Sequence, residues 1–581
     1  MIINLKSGLA ARVNINKLTS NIVKSSKVRN DLFIPQYITY NSKEYQIVEI
    51  EDNAFKDLMV NSIRFSKSSM LKKISKNAFN GSSLQQLQLP SNIENIEEGW
   101  CAGTNDLIDL TIPSNNKYFT YHENELLIKN DNKILLFSRR DIETVIIPQK
   151  VKRIGSFSFS NCKRLQSVAF ESNVIEEIGE SSFYSCLNLR EISLPSSLKK
   201  IEKKSFAYCS QLESLVINED SELESISRGA FKGTSLRKLF LPKNLQCLEE
   251  GWCCGANKLN EITISKKNKK FILIDKSFLI QLDSILLFVR RDIESVILPS
   301  NIKKIAKSAF EGCIQLNSID FELSHEIEYI DDKAFNNCTN LQTILNFPSS
   351  IKRIGRSSFS NCHKIEFLNL NENSKIEKIC KNAFKSTSIN ELYLPHSLNY
   401  LEEGWCSETK KLTDLTVSSE NENFSYKNNV FLIDLKNNVL LFASRDVNEA
   451  VIPSDIKRIG DSSFSNCKKL KSVTFSEDSI IEEIGHSAFN YCSKLRSISS
   501  IPKSVKLIES HCFNLVLNLV SIEFLSENLK IDEICFEYCS KLSLASFPNA
   551  SKVTVGWRGF YGVSRDFSLF VLHNGELICD Y

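Results

Sequence analysis

Eighteen cysteines, seven histidines and a recurring Arg-Arg-Asp triplet are the residues of this chain best equipped for metal ligation, nucleophilic attack or redox exchange. Their spacing argues against all three. Nine cysteines (Cys162, Cys186, Cys209, Cys313, Cys338, Cys362, Cys467, Cys492 and Cys539) each follow a phenylalanine by three residues, and Cys101, Cys253 and Cys406 each follow a tryptophan. A side chain that recurs once per repeat is stacked along the repeat axis, and Ser82, Thr234 and Thr387 stand in the same slot. The cysteines are therefore expected to be small buried core thiols and neither disulfides nor metal ligands. His122, His325, His363, His396, His486, His511 and His573 fall at unrelated phases, and no Cys-x-x-Cys is present. There is no P-loop and no Gly-x-Gly-x-x-Gly; Gly556, Gly559 and Gly562 form only a weak glycine pattern in a turn-rich coil. A chain of copied units offers no unique cluster of titratable groups, so the expectation is no enzyme, no catalytic residue, no metal and no cofactor.

The positions of those cysteines are set by a repeat. Phenylalanine recurs at 55, 79, 159, 183, 206, 231, 310, 335, 359, 384, 464, 489, 513 and 536, at steps of 23 to 25 where nothing intervenes. The unit is clearest at Ile154 to Phe170: Ile, Phe five residues on, Cys three later, then Leu and a hydrophobic alternation often closed by proline. In Leu189 to Pro195, Ile192 and Leu194 point inward while Glu191 and Ser193 point outward, the period of a short strand. Pro195 ends it for want of a backbone donor. The eight residues from Glu202 to Cys209 leave room only for a helical or 3₁₀ turn. One strand per coil at constant period predicts a parallel sheet along one face of a solenoid whose coils share one core.

A longer period overlies the short one. Trp100, Trp252, Trp405 and Trp557 are spaced by 152 or 153 residues, which reads as one position copied four times. After each Trp coil the repeat breaks, and two apolar runs around a polar turn (Glu125 to Phe137, Phe278 to Phe288, Val430 to Phe442) predict β-hairpin insertions. The domain reading is an N-terminal cap over 1–49 and a single continuous solenoid over 50–581, in cassettes of about 50–144, 145–295, 296–449 and 450–581. Asp31 to Pro35 already resembles a strand end, and Asn574-Gly575 signals a tight turn in a last, shortened hairpin at Leu569 to Ile578.

Outward strand positions form the candidate binding face: Glu191, Lys238, Phe240, Glu261, Asp320, Glu391, Tyr393, Asp414 and Glu449. Adding Asp109, Glu523 and Arg64 gives eight acidic against two basic side chains, a balance that disfavours nucleic acid. Phe240 and Tyr393 share one slot with Gln88; an outward aromatic there either anchors a partner or packs on its neighbouring coil. Basic pairs (Lys152-Arg153, Lys199-Lys200, Lys303-Lys304, Lys352-Arg353, Lys457-Arg458) recur at another phase. They are either a solvated edge or a flank for anionic glycans, lipids or acidic protein. Arg139-Arg140-Asp141, Arg290-Arg291-Asp292 and Ser444-Arg445-Asp446 follow the hairpins and could grip a carboxylate or form an internal ion pair that locks hairpin to coil.

The repeat Ile-x4-Phe-x2-Cys-x2-Leu-x2-Ile-x-Leu-Pro, with its recurrent hairpins, resembles the BspA-like leucine-rich repeat proteins over about residues 31 to 578. The resemblance implies a leucine-rich repeat solenoid and a surface antigen or adhesin that binds a host or matrix protein or glycoprotein. Formal net charge is +3, and neither a signal-peptide core nor an 18-residue apolar run is present. Those signals point to the cytoplasm, no integral membrane segment, and an intracellular scaffold or regulatory protein as the alternative.

Overall fold

The computed structural model describes residues 1–5, 8–26, 30–282, 284–322, 326–571 and 576–579. His325, His573 and the Asn574-Gly575 turn lie outside them. The chain packs as two compact units, 1–282 and 283–581, and each is a β-solenoid of parallel coils.

Most inward strand residues are Leu, Ile or Val, with Phe475 and Ala545 among the exceptions, and many meet their copy in the next coil. In the first unit Ile192 faces Leu215, and Leu239 faces Ile262, in parallel register. In the second, Ile319 lies between Val296 and Ile344. Beside this expected strand each coil adds a second one of mostly two residues, such as Lys200–Ile201, which pairs with Glu177–Ile178 on one side and Ser225–Ile226 on the other. Its inward isoleucine is the residue that opens the repeat motif. Each unit therefore carries two parallel ladders with the apolar side chains between them.

The expected helical or 3₁₀ turns are absent among the described residues, and the hydrogen bonds explain why. From Phe157 to Cys162 the amides alternate: Phe157, Phe159 and Asn161 donate to Glu180, Ser182 and Tyr184 of the next coil, at 3.0, 2.8 and 2.8 Å. Ser158, Ser160 and Cys162 donate three residues back, to Gly155, Phe157 and Phe159. A helix would need all of these amides for itself. The alternation needs left-handed residues, and Phe157 (φ 61°) and Asn161 (φ 63°) supply them, as Ser181 and Ser185 do one coil on. Each such residue costs on the order of 1 kcal/mol, offset by hydrogen bonds between coils.

The hairpin insertions are present and carry one more strand than expected. Phe119–His122, Leu126–Lys129 and Ile134–Ser138 form an antiparallel meander whose last strand pairs in parallel with Arg153–Ile154. Phe424–Lys427, Phe431–Asp434 and Val439–Ala443 repeat it before Arg458–Ile459. The chain begins with the same device, since Ile2–Asn4, Ala10–Asn14 and Thr19–Val23 form a meander that continues in parallel to Lys43–Ile50. Asn30–Ile34 pairs with Val60–Phe65 and is the first strand of the other ladder. Near the C-terminus the described strands do not pair with each other: Ser568–Val571 joins Leu544–Phe547, whereas Glu576–Cys579 joins Lys552–Val555. Residues on either side of the Asn-Gly pair thus enter different ladders. No helix among the described residues is long and apolar enough to cross a membrane.

The fourteen repeat phenylalanines are buried to 1% exposure or less. Their rings stack coil on coil: Phe159 on Phe183 at 4.9 Å, Phe183 on Phe206 at 5.1 Å, Phe335 on Phe359 at 5.0 Å, all within 7° of parallel. The spacing is that of neighbouring strands, so the backbone sets the ring separation. The stacks before the last end edge-on at a tryptophan, Phe79 on Trp100 at 88°, Phe231 on Trp252 at 89° and Phe384 on Trp405 at 87°. Trp557 departs from this pattern and is 45% exposed. The slot is fixed by the residue that opens the coil, here Val555; five residues on stands Phe560, which stacks on Phe536 at 5.0 Å.

The ladder thiols are buried and free. Each reaches back one coil: Cys186 donates to the Phe159 carbonyl at 3.2 Å, Cys209 to Phe183 at 3.0 Å, and Cys362 to Phe335 at 3.1 Å. The Arg-Arg-Asp triplets divide into two parts. Arg139 pairs with Asp141 at 2.6 Å near the surface, whereas Arg140 is buried and meets no carboxylate among the described residues. Arg140 donates to the carbonyls of Thr104 (3.1 Å) and Ser158 (2.9 Å), and its guanidinium lies 3.5 Å from Cys101 Sγ and 3.8 Å from Cys162 Sγ. Arg445 repeats the arrangement with Thr409 and Ser463 at 3.0 and 2.8 Å. The meander is thus locked to the coils before and after it, through carbonyls and not through the expected ion pair.

Candidate binding face

Four of the candidate residues lie on the strand-lined face of the first unit. Glu191 and Lys238 open the strands Glu191–Ser193 and Lys238–Leu241, and both are exposed. Lys238 stands beside Glu261, and Phe240 beside Thr263, in adjacent parallel strands. Phe240 is half-buried between its neighbours.

In the second unit the face is more acidic. Glu391 and Asp414 are register partners, like charges side by side, and Tyr393 stands beside Thr416. With Phe367 and Asn369 they line a depression of about 190 Å³. Phe367 is 58% exposed there, and the Tyr393 hydroxyl donates to the Glu372 carboxylate. Asp320 is partly buried; its Oδ1 accepts from the Glu322 amide at 2.9 Å and from Asn346 Nδ2 at 2.8 Å. Glu449 opens the strand Glu449–Ile452 and is exposed.

Sequence reasoning missed the apolar members of this face. Ile146, Ile297 and Val451 occupy one outward slot, in the first strand after each meander, and are each more than 60% exposed. Val216 in the first unit, and Leu345 and Phe367 in the second, are likewise exposed on the strand-lined face of their own unit. A signal was available: three consecutive apolar residues, as in Val145-Ile146-Ile147, break the alternation of a strand with one wet side, so the middle one must face water.

The basic pairs do not form an uninterrupted basic flank. Their second members open the two-residue strands, where the register places Arg153 beside Glu177, and Arg353 between Tyr329 and Lys378. Arg353 binds Asp331 at 2.6 Å and Asp332 at 2.8 Å. Arg458 reaches Glu403, Asp461, Glu483 and Glu509 within 3.1 Å, and Arg153 joins Glu98 to Glu177. Beside the meander these pairs line a polar cleft of about 660 Å³ with Lys381, Glu402 and Arg458, and one of about 370 Å³ at the equivalent positions Lys76, Glu97 and Arg153. Burial pushes the Glu402 carboxyl upward, but hydrogen bonds from the Arg356 side chain and the Lys381 amide prevail and hold it below the ordinary range. Such matched charges hold coils in register and leave little net field for a ligand.

Parallel coils of 23 to 25 residues, an inward Leu/Ile ladder and a stacked phenylalanine spine define a leucine-rich repeat solenoid. The sequence matches the BspA type leucine rich repeat region (6 copies) over residues 26–124, 135–260, 286–325, 320–432 and 438–564, and the chain belongs to that family. Similar solved structures include a leucine rich cell surface protein from Faecalibacterium prausnitzii, at 17% identity and TM-score 0.39, covering 82% of this chain and 95% of that one. The pneumococcal vaccine antigen PcpA is 15% identical at TM-score 0.34, with 98% of each chain covered. A leucine-rich repeat protein from Eubacterium ventriosum is 16% identical at TM-score 0.33, covering 77% of this chain and 95% of that one. No curated protein matches the sequence.

Proposed function

We propose that this chain is a non-catalytic binding protein that holds a protein or glycoprotein ligand through its strand-lined face, in the adhesin-like or surface-antigen-like manner that the BspA resemblance implies. The observation that carries the reading is the depression around Phe367 and Tyr393, where exposed aromatic surface adjoins the carboxylates of Glu391 and Asp414. An aromatic platform rimmed by like charges suits a ligand that presents an apolar side chain next to a Lys or Arg. The rows at Ile146, Ile297 and Val451 extend the same chemistry. A photo-crosslinking benzoylphenylalanine placed at 367 in the intact chain is expected to yield a discrete adduct that the same probe at Trp557 does not. Identical adducts from both positions would refute the reading.

An intracellular scaffold is the second reading, and the free ladder thiols favour it. The same face serves either role, so the two differ only in location. Labelling intact cells with an impermeant reagent decides between them, because a protein shielded from the reagent is not an adhesin.

A further inference from the structure

Among the described residues, Glu372, His396 and Glu420 form a group that offers one ligand atom each, all within 4.8 Å of one another. They stand 24 residues apart, at the same corner of three successive coils, just after the outward strand. His396 Nδ1 lies 3.0 Å from Glu372 Oε1. Ser418 Oγ donates to the same oxygen at 3.0 Å, and the Tyr393 hydroxyl holds the other oxygen of Glu372.

The repeat provides its own comparison, because this corner occurs three times on one scaffold. In each, a conserved-in-place asparagine ties the last loop to the one before. Asn421 donates to the carbonyls of Pro395 and Leu398 and accepts from the amides of Asn423 and Phe424. Asn268 does the same with Pro242, Leu245, Lys270 and Phe271, and Asn116 with Ser91, Ile93, Tyr118 and Phe119. The hydroxyl hold on the carboxylate also recurs, Ser265 donating to Glu219 at 2.5 Å. The side chains at the three corner positions change, Lys67, Ser91 and Asn115 in the first, Glu219, Lys243 and Lys267 in the second, Glu372, His396 and Glu420 in the third, and so does the strand residue beside them, Gln88, Phe240 and Tyr393 in turn. The second copy has one carboxylate and two lysines at these positions. The third replaces both lysines, one by an imidazole and one by a second carboxylate, which brings two carboxylates and an imidazole to one corner.

We infer that Glu372, His396 and Glu420 bind one divalent first-row transition ion of the zinc or cobalt type, whose charge balances two carboxylates at a corner that carries lysines in the preceding copy. Two carboxylates and one imidazole are a mixed oxygen and nitrogen set that suits these ions. Bonds of about 2.1 Å span ligand separations up to about 4.2 Å, and rotation of exposed Glu420 closes the remainder. Three protein ligands at an exposed corner leave further positions to water or to a ligand donor at the edge of the strand-lined face. Tyr393 and Ser418 act as positioning residues that orient Glu372.

The test titrates Zn²⁺ and Co²⁺ alone into the intact chain by calorimetry and by cobalt absorption spectroscopy. The wild-type chain is expected to bind one equivalent. The double variant His396→Lys with Glu420→Lys, which writes the second copy's residues onto the third and so keeps a corner the fold already tolerates, is expected to lose that equivalent. Tyr393→Phe, with the ligands intact, is expected to bind about tenfold more weakly. No binding by the wild type, or equal binding by wild type and double variant with unchanged circular dichroism, would overturn the assignment.

Discussion

Phe183→Ala is expected to lower the unfolding free energy by about 3–5 kcal/mol. The ring is fully buried and stacked on both sides, against Phe159 at 4.9 Å and Phe206 at 5.1 Å. Its removal takes away the transfer free energy of the side chain, about 1.5–3 kcal/mol, and leaves a gap that backbone ladders on both flanks prevent from closing. Because coil spacing is fixed by hydrogen bonds, the neighbouring rings cannot slide together to fill it. Phe560→Ala is the internal control: that ring is only partly buried, between Phe536 and Phe567 near the C-terminus, and its loss should cost well under half as much. Chemical denaturation of the intact variants checks both, and hydrogen exchange should show the loss of protection concentrated in the coils around Phe183, as expected when each repeat contacts only its neighbours. Equal costs at the two positions would contradict a spine of stacked rings.

Raising the pH above about 9 is expected to unfold the chain cooperatively before pH 12. Burial pushes the thiols of Cys162 and Cys539 up to about 12 and Cys406 up to about 11, from an ordinary value of 9.0. Cys186, Cys313, Cys338, Cys492 and Cys512 are raised well above it for the same reason. The sign follows from which state binds the proton. Below pH 9 the thiols are neutral in both states, and their contribution to stability is fully present. Above it the unfolded chain releases protons that the folded chain retains, so each thiol gives up about 1.4 kcal/mol per pH unit until its folded value is reached. Several acting together exceed a typical stability of about 5–15 kcal/mol within one or two units. Circular dichroism against pH measures the midpoint, which Cys186→Ala should move upward. A folded chain at pH 12, or thiolate formation near 9 without unfolding, would show that the ladder is not buried.

Much of this was legible in the sequence because the repeat constrains it strongly. A phenylalanine every 23 to 25 residues, with a thiol three later, admits few other folds, and the inward Ile192 and Leu194 were readable from alternation alone. The second ladder was not: Lys200–Ile201 has a single inward residue, too short for any period, and its partners lie a full coil away. Trp557 was misplaced because the 152-residue spacing outweighed the local frame set by Val555. Sequence shows the aspartate that follows Arg140 and Arg445 but not the carbonyls that converge on a buried guanidinium. His396 seemed unrelated to any motif because its companions stand one coil away on either side, a distance at which no spacing rule for ligands operates. On the binding face the acidic residues were found one by one, whereas the depression around Phe367 needed three strands in register.

The central claim, that the strand-lined face holds a protein ligand, is tested most directly by comparing three intact chains as bait in the same extract and on the same cell surfaces. One is wild type, one carries Glu391→Lys and Asp414→Lys, and one carries the equal charge change Glu123→Lys and Asp131→Lys on the exposed turns of a meander. Proteins held by the wild type and by the meander variant, and lost from the Glu391 and Asp414 variant, are the expected result. The same proteins recovered at the same level by all three chains would contradict it.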